Sequence, residues 1–165
     1  MSTAITLEEL LSWDEEASAF WNKHLEANPA LLELPCDIGG STNVLQLVRH
    51  IWGVELLWSQ RIAGVPERNK DVWPAGPLDA LFDLHLEAVR NFRALLDDPT
   101  KSWDERLHLD RPGIPTQAAR PTHRKVLGHA LLHSQRHWAQ LATLVRTAGF
   151  PSGFRGDLLV SSSLE

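Results

Sequence analysis

Residues 120–150 read RPTHRKVLGHALLHSQRHWAQLATLVRTAGF, and the reading of this stretch decides the fold. Pro121 and Thr122 stand where a helix begins, since proline is tolerated in a first turn and threonine can cap. Gly149 and Pro151 supply a stop, and only Gly128 interrupts the interior. The pattern predicts one uninterrupted helix. His129, His133 and His137 recur along it at four-residue spacing. Side chains four apart lie one above the other, and His133 and His137 differ by roughly 40° around the axis. The apolar stripe through Val126, Ala130, Leu141 and Leu144 includes or borders these two, whereas His129 is rotated toward its edge. Two imidazoles therefore point where a core should be. Each has two ring nitrogens to satisfy, and a metal ion satisfies one on each ring. Histidines at this spacing also occur by chance on surface helices, so a metal site requires a third ligand from elsewhere.

Outward from this helix the chain divides at its prolines and glycines. Thr6 caps a first helix that carries Leu7, Leu10, Leu11, Ala17, Phe20, Trp21 and Leu25 at helical spacing and ends before Pro29. Residues 26–35 read as a loop or broken turn, and Leu31–Leu34 suits a short extended or a short helical piece equally. Gly39 and Gly40 precede Ser41 or Thr42 as cap of a second helix to about Ala63, ended by Gly64 and Pro66. Pro77 opens a third helix to about Leu96. Residues 101–120 are irregular: Trp103–Asp110 alternates weakly like a short strand, and Pro112, Gly113 and Pro115 predict a loop. A short helical or extended piece is expected at Asp157–Val160, with loose polar residues after it. Four long helical patterns predict an all-α four-helix bundle, one domain over 1–165, with a short irregular segment before the last helix.

Composition narrows the function. A hydrophobic fraction of 43% and a charged fraction of 22% suit a soluble globular protein. A net charge of −5 argues against binding a nucleic-acid backbone. No apolar run reaches membrane-spanning length, and the acidic N-terminus is not a secretory signal. The single cysteine, Cys36, excludes an intramolecular disulfide. Together these place the protein in the cytoplasm. Seven tryptophans and no tyrosine suggest core or groove lining.

The third ligand is sought on the second helix. His50 lies one turn from Leu47, Val54 and Leu57. Alone it reads as a core histidine bonded to a carbonyl. Together with His133 and His137, at similar depth on another helix, it suggests three imidazoles converging in the bundle. Three histidines with positions left open form a catalytic type of metal site.

At these residues the sequence resembles the DinB-like (DinB/YfiT) superfamily of four-helix-bundle proteins. LVRHIWGVELLWSQRIAG resembles that family's second helix: a histidine, then an acidic residue, a tryptophan and a closing glycine. HALLHSQRHWAQLATLVRTAGF resembles its last helix: spaced histidines, Gln-Leu and a closing Gly-aromatic pair. The resemblance implies metal ligands at His50, His133 and His137, a divalent ion (zinc or nickel), and a homodimer. It further implies chemistry on a small-molecule substrate, with a low-molecular-weight thiol activated as thiolate in an S-transferase or isomerase. Leu132 and Trp138 stand where members often carry asparagine and a basic residue, which alters the groups around the imidazoles. A thiol S-transferase or a hydrolase is therefore expected. The alternatives are a non-catalytic stress-associated binding protein with a structural or incidental metal, and a bundle whose histidines only hydrogen-bond in its core.

The other candidates read more plainly. His129 is an edge histidine or supports a ligand, and His24 and His85 are ordinary or line a pocket. His108 and His123 lie in or beside a loop and are expected at the surface. Glu55 belongs to a solvated helix face, or else is a general base. Cys36 packs as a small hydrophobe. Trp52, Trp58 and Trp138 fill the core or line a pocket mouth.

Overall fold

A computed structural model describes residues 4–109 and 120–164. Four helices dominate it: α1 (Leu7–Ala27), α2 (Val44–Ala63), α3 (Leu78–Asp97) and α4 (His123–Thr147). Each starts and ends for a local reason. Thr6 caps α1 in a reciprocal box: its hydroxyl accepts from Glu9 N at 3.1 Å, and its own N–H donates to the Glu9 carboxylate at 2.6 Å. Thr122 caps α4, accepting from Lys125 N at 3.2 Å. The cap of α2 is Asn43, not Ser41 or Thr42, because those two residues are taken up in a strand. Gly64 closes α2 with a φ of 68°, a conformation that costs glycine nothing.

α2 packs against both α3 and α4, and α1 packs against the same two. Consecutive helices α1 and α2 are thus diagonal in the bundle, as are α3 and α4, and the long connection 28–43 carries the chain across between the first pair. No helix is long and apolar enough to cross a membrane. Trp21, Trp52 and Trp138, from α1, α2 and α4, form the centre, all with 0% exposure. Trp138 stacks on Trp21 with centroids 5.9 Å apart and meets Trp52 edge-on at 5.8 Å. Trp52 Nε1 donates to Ser18 at 3.2 Å. Trp138 therefore fixes the rotation of α4 at the residue next to His137.

The connections differ from expectation in several places. Of Leu31–Leu34, the first three residues belong to a 3-10 turn, Pro29–Glu33, and Leu34 caps it. Pro35–Ile38 (β1) and Ser41–Asn43 (β2) pair antiparallel, Ile38 opposite Ser41. Gly39 and Gly40 form their turn with φ of 61° and 79°, the two-residue hairpin geometry that glycines supply. In place of the expected strand Trp103–Asp110, the described residues show an isolated bridge, Arg106 opposite Thr122; Asp110 and the loop at Pro112, Gly113 and Pro115 lie outside the described residues. The tail makes a 3-10 turn at Leu158–Val160. It is not loose: Ser161 Oγ donates to Glu16 on α1 at 2.6 Å, and Ser162 N donates to the same carboxylate at 3.1 Å.

The segment between α2 and α3 is pinned over α2. Trp73 is 5% exposed and lies against Gly53, where an added Cβ would fall 2.2 Å from the indole ring. The Arg49 guanidinium donates to the carbonyls of Pro74 (2.9 Å), Lys70 (2.8 Å) and Trp73 (3.1 Å). This holds Lys70 near the N-terminal half of α2, where His50 is.

Candidate metal centre

The packing of α2 on α4 brings His50, His133 and His137 together. His133 Nε2 lies 3.3 Å from His50 Nε2 and 3.1 Å from His137 Nε2. One potential ligand atom from each ring falls within 4.8 Å of the others. A tetrahedral ion with nitrogens at 2.0–2.1 Å holds them about 3.3–3.4 Å apart. Two of the three spacings are close to that value.

The tautomers point the same way. Gln140 Oε1 accepts from His137 Nδ1 at 2.8 Å, so the proton of that ring sits on Nδ1 and its Nε2 carries a lone pair. Three ring nitrogens that meet with so few protons to share are a donor set lacking its acceptor, and a divalent cation supplies one. His133 Nδ1 has no hydrogen-bond partner among the described residues, so packing and the two neighbouring rings orient this imidazole. The hairpin covers one side. A Cβ at Gly39 would meet His137 Cε1 at 3.3 Å and His50 at 3.5 Å, so close approach as well as positive φ calls for glycine there. His137 is buried, and His50 and His133 are half-buried. Beside His50, the one of the three that lines it, a cavity of about 550 Å³ runs from the hairpin glycines past Gln46 to Lys70 and Trp73.

Burial disfavours the charged form of all three histidines. The His50 pKa is pushed down to about 4, first by burial, then by His137, Lys70 and Arg136. That of His133 is pushed down to about 3, first by burial and then by His137 and His50. Burial also lowers that of His137, partly offset by the Gln140 hydrogen bond. His50 and His133 therefore release almost no protons when they bind a cation above pH 5. Zinc affinity should therefore fall less than about tenfold between pH 7.5 and 5.5, whereas three imidazoles of ordinary pKa near 6.5 would lose on the order of a thousandfold. Calorimetric titration with zinc in non-coordinating buffers measures this. The metal-free protein behaves differently. Its depressed histidines give stability above pH 6.5 that is lost as pH falls toward their folded values, so its Tm should drop over that interval.

A second polar group lies in the dry interior, with one contribution from every helix. Asp14 (α1), Glu55 (α2) and His85 (α3) are 1%, 1% and 2% exposed. Glu55 Oε2 bonds His85 Nδ1 at 2.7 Å, and Glu55 Oε1 accepts from Ser134 on α4 at 2.5 Å. Asp14 Oδ1 accepts from Gln135 at 3.5 Å, and its Oδ2 has no hydrogen-bond partner among the described residues. Burial, and then the facing Glu55, raise the Asp14 pKa well above the usual carboxylate range. These groups are also spaced to hold an ion. Both Glu55 oxygens are already engaged, however, and one proton on Asp14 completes the network. Glu55 is thus neither solvated nor at the open site, contrary to expectation: α2 is buried all round at this level, with Ile51–Gln60 in the core.

The remaining candidates are placed as follows. His129 is exposed at the edge, its ring 5.9 Å from both Trp58 and His133. His24 is half-buried, stacked on Phe20 and edge-on to Trp21. His123 is 4% exposed rather than at the surface, because the 103–107 segment folds over the start of α4 and Glu105 O accepts from His123 N at 2.9 Å. His108 is exposed. Cys36 is half-buried in the hairpin, its thiol donating to Ser41 O at 3.5 Å. Trp58, 6% exposed, packs beneath Arg61 and beside His129. Sequence reasoning missed Gln140 and Arg136. The signal for both was available: each lies within one helical turn of His137 on the same helix.

The family model described as the DinB family matches residues 1–154. A search of curated proteins finds no match.

Proposed function

The chain belongs to the DinB family, and from that premise we propose that it is a metal-dependent enzyme whose divalent ion is held by His50, His133 and His137. The observation that carries this is the meeting of three imidazoles, His133 Nε2 lying 3.3 Å and 3.1 Å from the other two, beside a cavity that His50 lines. The ion, zinc or nickel, would supply a nucleophile at neutral pH by lowering the pKa of a bound water or thiol. The chain's own residues do the rest. Gln140 fixes the His137 tautomer, Trp138 and the tryptophan core fix the helix phase, and Gly39 lets the hairpin close one side. The open side admits a small molecule. The reaction is of the thiol S-transferase or hydrolase type. Cys36 is bonded into the hairpin, so a thiol nucleophile would come from solution. We further place the protein in the cytoplasm as a homodimer, as its composition and family suggest.

The test is elemental analysis of protein purified without a nickel column, followed by turnover assays of the loaded protein. About one zinc or nickel per chain, with turnover of an electrophile that depends on a low-molecular-weight thiol or on water, is expected. No bound metal and no thermal shift on adding zinc or nickel would overturn the metal site. Bound metal without turnover, at a site that exchanges no solvent ligand, would favour a non-catalytic binding protein.

A further inference from the structure

Arg136 already uses the nitrogen that His137 would offer to an ion. Its Nη2 donates to His137 Nε2 at 3.4 Å. A guanidinium has donors only, so the ring nitrogen accepts and gives its lone pair to the bond. The other side of the ring agrees, since His137 Nδ1 donates to Gln140 Oε1 at 2.8 Å and so carries the proton. Gln140 and Arg136 thus fix the same tautomer from the two ring nitrogens. That tautomer is the one a metal ligand needs, but Nε2 has a single lone pair. It cannot serve the guanidinium and an ion together.

The charge of Arg136 acts in the same direction as the contact. After burial, it is among the causes that disfavour the protonated forms of His50, His133 and His137. What repels a proton from those nitrogens repels a metal cation as well. Arg136 is exposed, and it lines a surface groove with Ile38, Ala139, Gln140 and Thr143 rather than the cavity beside His50. Its withdrawal from His137 therefore breaks one hydrogen bond and needs no opening of the core.

Building on the metal reading above, we infer that Arg136 is a built-in competitor for the metal: in the metal-free protein it holds the His137 Nε2 lone pair, and an ion binds there only as the guanidinium withdraws. Arg136 keeps the ring in its ligand tautomer until the ion arrives. In return it holds the affinity below what the three histidines alone would give.

The experiment is calorimetric titration of the full chain with zinc in a non-coordinating buffer near neutral pH. It is run in sodium perchlorate at roughly 0.1 M and again at roughly 1 M, which shortens the reach of a charge from about 10 Å to about 3 Å. Arg136→Ala removes the donor and leaves no new ligand in its place. It should bind zinc about three- to tenfold more tightly than the parent, the fold-change that one net hydrogen bond corresponds to. Most of the gain should persist at the higher salt, because screening removes a distant charge effect but not a direct contact. Arg146→Ala, in the last turn of α4, removes an equal charge and should stay within about twofold of the parent. An unchanged or weaker zinc affinity in Arg136→Ala, or a gain that vanishes at the higher salt, would overturn the competitor while leaving the metal site standing. Failure of both the parent and Arg136→Ala to bind zinc would overturn both readings.

Discussion

Replacing His133 with alanine is expected to lower zinc affinity by at least about a hundredfold. Loss of a group that only orients a ligand typically costs 10–100-fold, and loss of the ligand itself costs more. His133 is the most sensitive position because its Nε2 faces both other rings, at 3.3 and 3.1 Å. Alanine there leaves two imidazoles on different helices with no nitrogen between them. His129→Ala, at the exposed edge, should leave affinity within about twofold, and Gln140→Leu should fall between the two. Calorimetric titration with zinc ranks all three. The metal-free variants add a second readout. If these histidines merely held the core together, His133→Ala would unfold at lower temperature. As a ligand whose Nδ1 is unpartnered and whose charged form the fold disfavours, His133 should be removable without loss of Tm in the metal-free protein. Zinc affinity that survives in His133→Ala would remove this residue from the site.

The pairing of His133 with His137, and the exclusion of His129, were legible because helical phase is set by sequence alone. His50 was legible only in combination, since an isolated histidine on an apolar face has an ordinary explanation. The bundle followed from four apolar periodicities with proline and glycine between them. What stayed hidden was set by contacts across the fold. The hairpin is one case: Gly39-Gly40 between two short runs is a turn signal, but residues 35–43 were read as approach to the second helix. Once Ser41 and Thr42 pair in a strand, the cap moves to Asn43. Glu55 is another. A glutamate between Val54 and Leu56 reads as solvated until three other helices close around it. The placing of Lys70 beside His50 was hidden for a third reason. Lys70 reaches the cavity only because Arg49 and Gly53 hold its segment against α2, a long-range arrangement with no periodicity to announce it.

Glu55 carries the second large effect, on stability rather than binding. Glu55→Ala should destabilise the protein by about 3–5 kcal/mol, the usual cost of breaking a buried polar pair from one side. The reason is what remains. His85 Nδ1 loses its acceptor, the Ser134 hydroxyl keeps only the Ala130 carbonyl at 3.2 Å, and Asp14 loses the carboxylate that faces it, all in a part of the core with at most 2% exposure. At roughly 2–4 °C per kcal/mol for a chain of this size, Tm should fall by about 10 °C. Glu55→Gln keeps the shape and one acceptor oxygen, so it should cost less than half as much. The partner of Glu55 across the bundle gives a control of opposite sign. Asp14 has a raised pKa in the fold, so its contribution to stability is fully present below its unfolded value of 3.8 and is lost as pH rises through its folded value. Asp14→Asn keeps the shape of the protonated acid without that titration. Its Tm should match the parent near pH 4 and exceed it at pH 8. Thermal unfolding of metal-free protein at both pH values checks the pair: a Glu55→Ala variant as stable as the parent would mean that these helices are held together without the polar network at their centre.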